Sequence, residues 1–268
     1  MASAFEAPGL GIFSWFGYQL PSQERMRMIK EAGFDATSLW WGPGYPEDKH
    51  RQPEAARQAG LDVDYIHAPC DDPNALWLDG IDGDDYLNVL RSCIEDCRVH
   101  EVPTVVVHIT QLYSRPPVTP IGMDRVKRLL DCAEKSQVNL ALENMNSIPH
   151  LDSIYANLQS DRLGFCYDSG HEYYNHPDAD CLSRYGDKLF AIHLDDNFGD
   201  NDTHLLPGDG GIDWESVRQK LKACRPLKYL SLEVDFNKQH PGSQVYRSLS
   251  AAEFLARAHQ MAQAIAKP

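Results

Sequence analysis

Acidic and imidazole side chains follow several apolar segments of this 268-residue sequence. The segments NLALEN, LFAIHLDD and YLSLEVD place Glu143, His193 and Glu233 after runs in which large apolar residues alternate with small ones. The segment FCYDSGH places Asp168 in an equivalent position. Buried charges are costly unless they are paired or bound to metal. Carboxylates and imidazoles that converge from several strands therefore predict a divalent-metal site more than a packed core.

The same reasoning adds five further candidate residues, which could bind metal or substrate. They are His67 in YIHAP, His108 in VVVHIT, His171 in FCYDSGH, and Asp202 and His204 in DNFGDNDTH. A single His or Asp at a strand end is more often a cap or a hydrogen-bonded residue than a ligand, and Glu143 or Glu233 alone could form a salt bridge at the barrel mouth. Their repetition at one phase of six predicted strands favours a metal-binding cluster.

The elements that must position these groups form a regular alternation. Strands are predicted at 9–16, 36–41, 61–67, 104–109, 139–144, 163–168, 189–194 and 229–234. Helices are predicted near 22–32, 47–59, 84–99, 122–136, 150–160, 178–186, 214–223 and 250–265. Eight strand–helix units predict a parallel sheet that closes into a (β/α)8 TIM barrel, an α/β fold of one domain over 1–268. The polar residues would then gather at the C-terminal ends of the strands, where barrel active sites lie.

Composition restricts the partners. The formal net charge is −14, which makes a nucleic-acid partner an unfavourable expectation, because such affinity comes largely from Lys and Arg. No apolar run approaches the roughly 18 residues of a membrane span, so no membrane association is expected. Seven cysteines without a C-x-x-C pair, and an N-terminus without signal-peptide features, predict a cytoplasmic protein. Association into a homo-oligomer stays open.

Four segments resemble the xylose-isomerase-like TIM barrels, which include sugar-phosphate isomerases and epimerases, keto-sugar 3-epimerases and, more distantly, endonuclease IV. The segments are ALEN, CYDSGH, IHLDDN with the following PGDGGIDW, and SLEVD. The resemblance to the epimerase branch implies a metal-ligand set of Glu143, Asp168, His193 and Glu233. It also implies that Glu143 and Glu233 are catalytic and move the proton. Similarity to endonuclease IV implies instead three zinc ions held by these four residues together with His67, His108, His171, Asp202 and His204.

Several activities fit these residues. The first is isomerisation or epimerisation of a keto-sugar or polyol-derived ketone by proton transfer through an enediolate. A sugar dehydratase would use the same metal site, and an endonuclease IV-like zinc phosphodiesterase would act on abasic DNA. A sugar-binding protein without turnover is the non-enzymatic alternative. The loops after the strands are rich in acid, for example Asp71, Asp72, Asp195 and Asp196, which weighs against the nuclease.

Metal type and substrate contacts are less constrained. Two Glu and one Asp with one His favour Mn, Mg or Co, whereas the extra histidines make Zn an alternative. Trp15 and Trp41, together with Phe16 and Trp40, could form an aromatic wall for a small-molecule sugar substrate, although packing explains them equally well. Arg115 could hold a phosphate or carboxylate of the substrate, but no Gly-rich phosphate-binding loop accompanies it, so the sequence alone does not favour a phosphorylated substrate.

Overall fold

A computed structural model describes residues 8–43, 49–237 and 242–267. Its eight parallel strands lie in the order β7-β6-β5-β4-β3-β2-β1-β8. The strands are β1 (Gly9–Phe13), β2 (Ala36–Trp40), β3 (Asp62–His67), β4 (Thr104–Val107), β5 (Asn139–Glu143), β6 (Leu163–Asp168), β7 (Leu189–His193) and β8 (Tyr229–Leu232). A bridge between Leu194 and Leu232 joins β7 to β8. The predicted (β/α)8 barrel is therefore confirmed.

Helices follow the strands in the predicted alternation. They are α1 (Ser22–Glu31), α2 (Gln52–Gln58), α3 (Ile81–Val99), α4 (Pro120–Ser136), α5 (Ile148–Asn157), α6 (Ser169–Asn175), α7 (Cys181–Tyr185), α8 (Trp214–Leu221) and α9 (Ala251–Ala266). Residues 47 and 48 of the predicted second helix lie outside the described residues. Within the described ranges, no helix combines the length and apolar character that a membrane span requires.

The short helix α6 was not predicted. It begins directly after β6, where the Asp168 side chain accepts a hydrogen bond from the backbone N–H of His171 at 2.6 Å. Aspartate is a favoured helix N-cap, so the DSGH segment did contain a helix-start signal. The helix matters for function, because it fixes His171 beside the end of β6.

The strands separate small and large side chains as the alternation predicted. Inside the barrel, Ala141, Cys166 and Ala191 pack with Tyr65 and Val106 in a small apolar cluster. Ile192 of β7 and Leu194 directly after it, which alternate with Ala191 and His193, join the larger core between the barrel and the helices. The residues that follow the inward positions toward the strand ends are the predicted polar groups. The apolar cluster therefore forms the floor beneath them.

Candidate metal centre

The strand ends bring the predicted ligands to one place. Glu143, Asp168 and His193 are the last residues of β5, β6 and β7, and Glu233 follows β8 directly. One ligand atom from each of these four residues lies within 4.8 Å of those of the other three. We call these four residues the metal centre. They come from four strands because equivalent positions of neighbouring parallel strands meet at the same end of the barrel.

His193 lies between the three carboxylates of the metal centre. Its Nδ1 is 2.7 Å from Glu233 Oε2 and 3.2 Å from Glu143 Oε1. The same nitrogen is 3.5 Å from Asp168 Oδ2. One nitrogen and three carboxylate oxygens thus face a common point, which is a donor set that divalent metals accept.

Two further histidines contact the other oxygen of Glu143. His108 Nε2 is 2.9 Å and His67 Nε2 is 3.2 Å from Glu143 Oε2. The Nδ1 atom of His67 lies 2.8 Å from the carbonyl of Ala68, to which it can donate. That hydrogen bond would leave His67 Nε2 as the acceptor atom toward the centre.

His171, Asp202 and His204 form a second cluster beside the metal centre. Asp202 Oδ2 is 3.4 Å from His171 Nε2 and 3.3 Å from His204 Nε2. The other ring nitrogen of His171 is 2.9 Å from Glu143 Oε1, so the two groups are contiguous. All nine candidate residues therefore belong to one connected polar site.

The metal centre has the properties of a cation site. Glu143, Asp168 and His193 are completely buried, and the Glu233 side chain is only 13% exposed. Asp168 Oδ2 has no hydrogen-bond partner, and Asp202 Oδ1 in the second cluster has none either. A buried carboxylate oxygen without a donor costs free energy unless a cation compensates it. The residues present thus fit a divalent metal ion.

The electrostatics of the site agree with this interpretation. Burial alone would raise the pKa of Glu143, but the charges of His108 and His193 and the hydrogen bonds of His108 and His171 hold it well below its ordinary value. Burial would lower the pKa of His171, yet Asp168 and Asp202 raise it well above its usual range. The carboxylates therefore attract positive charge into a buried space. A metal ion can take the place of the protons on the imidazoles.

A cavity of about 770 Å³ opens above the metal centre. Phe13, Trp15, Trp40 and Met145 contribute to its apolar walls. Of the four metal-centre residues, Glu143 and Glu233 line this mouth cavity, whereas Asp168 and His193 do not. A small polar molecule in the cavity would meet the two glutamates first.

Of the three residues that the sequence suggested as substrate contacts, only Trp15 lies in the wall of the mouth cavity. The position expected for Trp41 is wrong, because the alternation of β2 turns Trp40 inward and Trp41 outward. Trp41 is buried, and its indole N–H donates to Asp96 of α3 at 2.7 Å. Arg115 is exposed, does not line the cavity, and donates a hydrogen bond to Asn146.

Phe16 is also absent from the cavity wall, since it is buried against Phe254 of α9 with ring centroids 6.2 Å apart. The loops expose less negative charge than the number of their acidic residues indicated, because Asp195 and Asp196 are fully buried. Asp196 accepts hydrogen bonds from the backbone of Gly208 and from the indole of Trp214. It stabilises the loop after β7 and does not repel an anion at the surface.

The sequence analysis missed two inward residues near the site. Cys166 lies close enough to Glu143 and His193 to share a metal with them. Asp195 is hydrogen-bonded through Oδ1 to the backbone N–H of Gly170 at 3.0 Å, and its Oδ2 has no hydrogen-bond partner. Burial and the charge of Asp168 raise the pKa of Asp195 well above its ordinary value. Both residues alternate with outward apolar residues, so the pattern that found Asp168 and His193 could have identified them.

Comparison with known proteins gives one family match. The family described as xylose isomerase-like TIM barrel matches residues 26–257. The uncharacterized protein y4fM of Sinorhizobium fredii is 33% identical over 138 residues. That match covers 49% of this chain and spans only 42% of y4fM.

Solved structures share the fold over nearly the whole chain. A D-tagatose 3-epimerase-like protein is 21% identical with a TM-score of 0.68, and the match covers 96% of this chain and 98% of that one. The IOLI protein with a bound zinc atom is 18% identical with a TM-score of 0.71, and 96% of each chain is covered. At these identities the likeness concerns the fold.

Proposed function

The chain belongs to the xylose isomerase-like TIM barrel family, and we propose that it is a divalent-metal-dependent isomerase or epimerase of a keto-sugar or related polyol-derived ketone. One observation carries the proposal. Glu143 Oε1 and Glu233 Oε2 lie 3.2 and 2.7 Å from His193 Nδ1, and both glutamates line the mouth cavity. Two carboxylates at one cavity floor are the arrangement that a proton transfer between two positions of a substrate requires. The solved structures with this fold include sugar epimerases, which supports the same class.

Glu143, Asp168, His193 and Glu233 would hold the metal ion. When bound, a divalent cation polarises a carbonyl and a neighbouring hydroxyl and stabilises negative charge on their oxygens. The oxygen-rich set favours Mn, Mg or Co. The zinc in the IOLI structure and the nearby histidines support Zn as the alternative.

The two glutamates are charged and therefore ready to accept a proton. Burial would raise the pKa of Glu233, but the charge and hydrogen bond of His193 lower it to about 2. The pKa of Glu143 is also low because of His108 and His193. One glutamate would remove a proton from the carbon beside the carbonyl. The same glutamate can return that proton to the neighbouring carbon, which gives isomerisation. Epimerisation requires the other glutamate to take up a proton from solvent first and then to deliver it to the opposite face. Carboxylates with such low pKa values are weak bases, so the transfer depends on close placement and on an activated substrate.

The walls of the cavity would orient the sugar. Trp15, Trp40 and Phe13 offer an apolar surface to the C–H face of a sugar ring or chain. The opposite, polar face of the substrate would then lie toward Glu143 and Glu233.

A second candidate function is favoured by the second cluster. His171, Asp202 and His204 could hold additional metal ions, as an endonuclease IV-like phosphodiesterase would require. A sugar dehydratase would use the metal centre alone, with loss of a hydroxyl group in place of proton return. The count of tightly bound metal ions separates the nuclease from the two sugar activities, since one ion per chain agrees with the isomerase or dehydratase and three zinc ions with the nuclease.

The direct test is an NMR screen of keto-sugars in deuterium oxide with Mn, Mg, Co or Zn added. We expect at least one keto-sugar to exchange a carbon-bound proton, and the exchange to be lost in Glu233→Gln. Glu95→Gln, an exposed change on α3, is the matched control and should exchange normally. Nicking of abasic-site DNA without exchange of any sugar would replace this proposal with the nuclease.

A further inference from the structure

A group of basic and amide side chains lies beside the mouth cavity and has no part in the metal centre. It consists of Arg115, Asn146, His150 and His176, which we call the Arg115 cluster. Arg115 is in the loop after β4, Asn146 and His150 follow β5, and His176 follows α6. All four therefore lie on the face of the barrel that carries the metal centre.

Arg115 has an unusual partner for an arginine in so acidic a protein. The chain contains 39 Asp and Glu residues. Among the described residues, none of these carboxylates lies within salt-bridge distance of Arg115. Its guanidinium donates instead to the side-chain oxygen of Asn146. The positive charge of Arg115 is thus positioned but not neutralised, and the amide N–H groups of Asn146 remain available to a further acceptor.

His150 provides an independent sign of a ligand. It is 1% exposed, and its ring nitrogens have no hydrogen-bond partner of good geometry beyond a weak contact with the Pro116 carbonyl. Its ring packs edge-on against Trp77 with centroids 4.3 Å apart. Burial and then the charge of Arg115 lower the pKa of His150 to about 4, against the opposing effect of the Pro116 carbonyl. A buried imidazole without a well-formed hydrogen bond beside an arginine suits an anionic acceptor.

His176 shows a similar pattern. It is half-buried, and its Nε2 has no hydrogen-bond partner. Burial and the charge of Arg115 lower its pKa, and the carbonyl of Met145 acts in the opposite direction. The charge of Arg115 disfavours the protonated form of both imidazoles. An anion bound among them would favour that form.

The Arg115 cluster borders the mouth cavity. Met145 lines the cavity and directly precedes Asn146, and Tyr113, two residues before Arg115, lines it as well. Asn146 follows Glu143 by three residues, which span at most about 10 Å of extended chain. A substrate with its reactive carbon at Glu143 could thus extend a distal group to the cluster.

We propose that the Arg115 cluster is an oxyanion subsite, and that the sugar substrate carries a phosphate ester or a carboxylate group. This inference rests on the proposed function, which places the reactive carbon of the substrate at Glu143 and Glu233. It specifies the substrate class that the sequence left open, because the sequence showed Arg115 as a single basic residue without other anion-binding residues beside it. The fold supplies those partners as Asn146, His150 and His176.

The first test needs no turnover. Inorganic phosphate is titrated into the Mg- or Zn-loaded protein, and the imidazole resonances of His150 and His176 are followed by NMR. We expect saturable shifts of both residues and at least about tenfold weaker binding in Arg115→Gln, the effect of losing a charge-assisted contact. Asn146→Asp should weaken binding similarly, because the new carboxylate would pair with Arg115. Arg98→Gln, an exposed arginine on α3, is the matched control and should bind normally.

Phosphate that leaves both resonances unchanged, or that binds equally well to Arg115→Gln and Asn146→Asp, would overturn the subsite. The latter result would mean that phosphate binds at the metal or only nonspecifically. Because this titration does not depend on catalysis, it decides the inference even if no sugar exchanges a proton.

The second test compares a keto-sugar with its phosphate ester and with the related sugar acid. We expect one anionic substrate to have the higher kcat/KM, and the identity of that substrate distinguishes phosphate from carboxylate. In Arg115→Gln the KM of that substrate should rise about tenfold or more. Equal kcat/KM for neutral and anionic sugars, with no effect of Arg115→Gln, would contradict the inference while leaving the isomerase proposal intact.

Discussion

Glu143 connects the two parts of the site at the level of single residues. Its Oε2 contacts His67 and His108, and its Oε1 contacts His171 and His193. A residue with four imidazole contacts affects metal binding, proton transfer and the position of its neighbours together. Glu233 has fewer contacts and partial exposure, so its contribution is easier to isolate.

Replacement of Glu233 by Gln should reduce the rate of proton exchange by about 100- to 10,000-fold, the usual contribution of a general acid or base. The amide keeps the shape of the side chain but cannot accept the proton. The measurement is kcat for exchange in deuterium oxide at saturating metal. An exchange rate within a few-fold of the wild type would exclude Glu233 as a proton carrier.

Asp168→Asn should separate metal binding from folding. Asparagine caps helices as well as aspartate, so α6 should persist, but the negative charge on the oxygen that lacks a hydrogen bond is lost. We expect metal affinity measured by calorimetry to fall at least about tenfold, one lost charge-assisted contact being of that size. Asp213→Asn, which alters the equivalent cap of α8, is the control and should bind metal normally. Equal affinities in the two variants would remove Asp168 from the ligand set.

The sequence was sufficient to identify the strand-end residues, because the two-residue alternation determines which side chains face the barrel interior. It could not assign individual contacts, such as the two histidines on Glu143 Oε2, since these depend on the relative heights of neighbouring strands. The error at Trp41 arose at the end of β2, where a difference of one residue reverses the direction of a side chain.

At the level of elements, Arg125 of α4 holds the loop between β3 and α3. Its guanidinium donates to the carbonyl oxygens of Leu78 and Gly80 at 2.6 and 2.9 Å. It also donates to Ala75 and Leu76 and is almost fully buried. This loop carries Pro73, which lines the mouth cavity. The arrangement could not be predicted, because an arginine in a helix is usually an exposed residue.

Arg125→Met should destabilise the protein by about 3 kcal/mol or more, because several buried carbonyls lose their donor. Arg128→Met is a matched control on the same helix. Arg128 is exposed and pairs with Asp84 at 3.5 Å, so its loss should cost less than about 1 kcal/mol. Denaturant unfolding measures both values, and similar losses in the two variants would contradict the role given to Arg125.

At the level of the whole molecule, the two ends of the barrel differ in chemistry. The C-terminal mouth carries the metal centre, whereas at the opposite end Asp64 of β3 accepts a hydrogen bond from Ser231 at 2.9 Å. Burial raises the pKa of Asp64 from 3.8 to about 6, despite the opposing effects of Ser231 and Lys228. This carboxyl group is part of the barrel wall and has no contact with the predicted ligands.

Asp64 should make stability depend on pH. Between about pH 4 and 6 the folded protein holds a proton on Asp64 that the unfolded chain releases, so its contribution to stability falls as pH rises through this window. Asp64→Asn should therefore have a higher Tm relative to the wild type at pH 7 than at pH 4. A Tm difference that is the same at both pH values would show that titration of Asp64 does not contribute.

The architecture of the whole barrel was predictable because eight strand–helix alternations leave few other topologies. The charge of the mouth was less predictable, since burial of Asp195 and Asp196 and the pairing of Asp209 with Arg257 depend on the folded loops. The net charge of −14 is therefore a property of the whole chain and does not give the exposed charge at the barrel mouth.

The metal centre is the basis of the proposed chemistry, and anomalous X-ray diffraction from crystals grown with zinc tests it most directly. The account predicts an anomalous peak about 2.0–2.2 Å from His193 Nδ1 and from the carboxylate oxygens of Glu143, Asp168 and Glu233. Absence of density among these four residues, with the metal bound only by His171, Asp202 and His204, would contradict it.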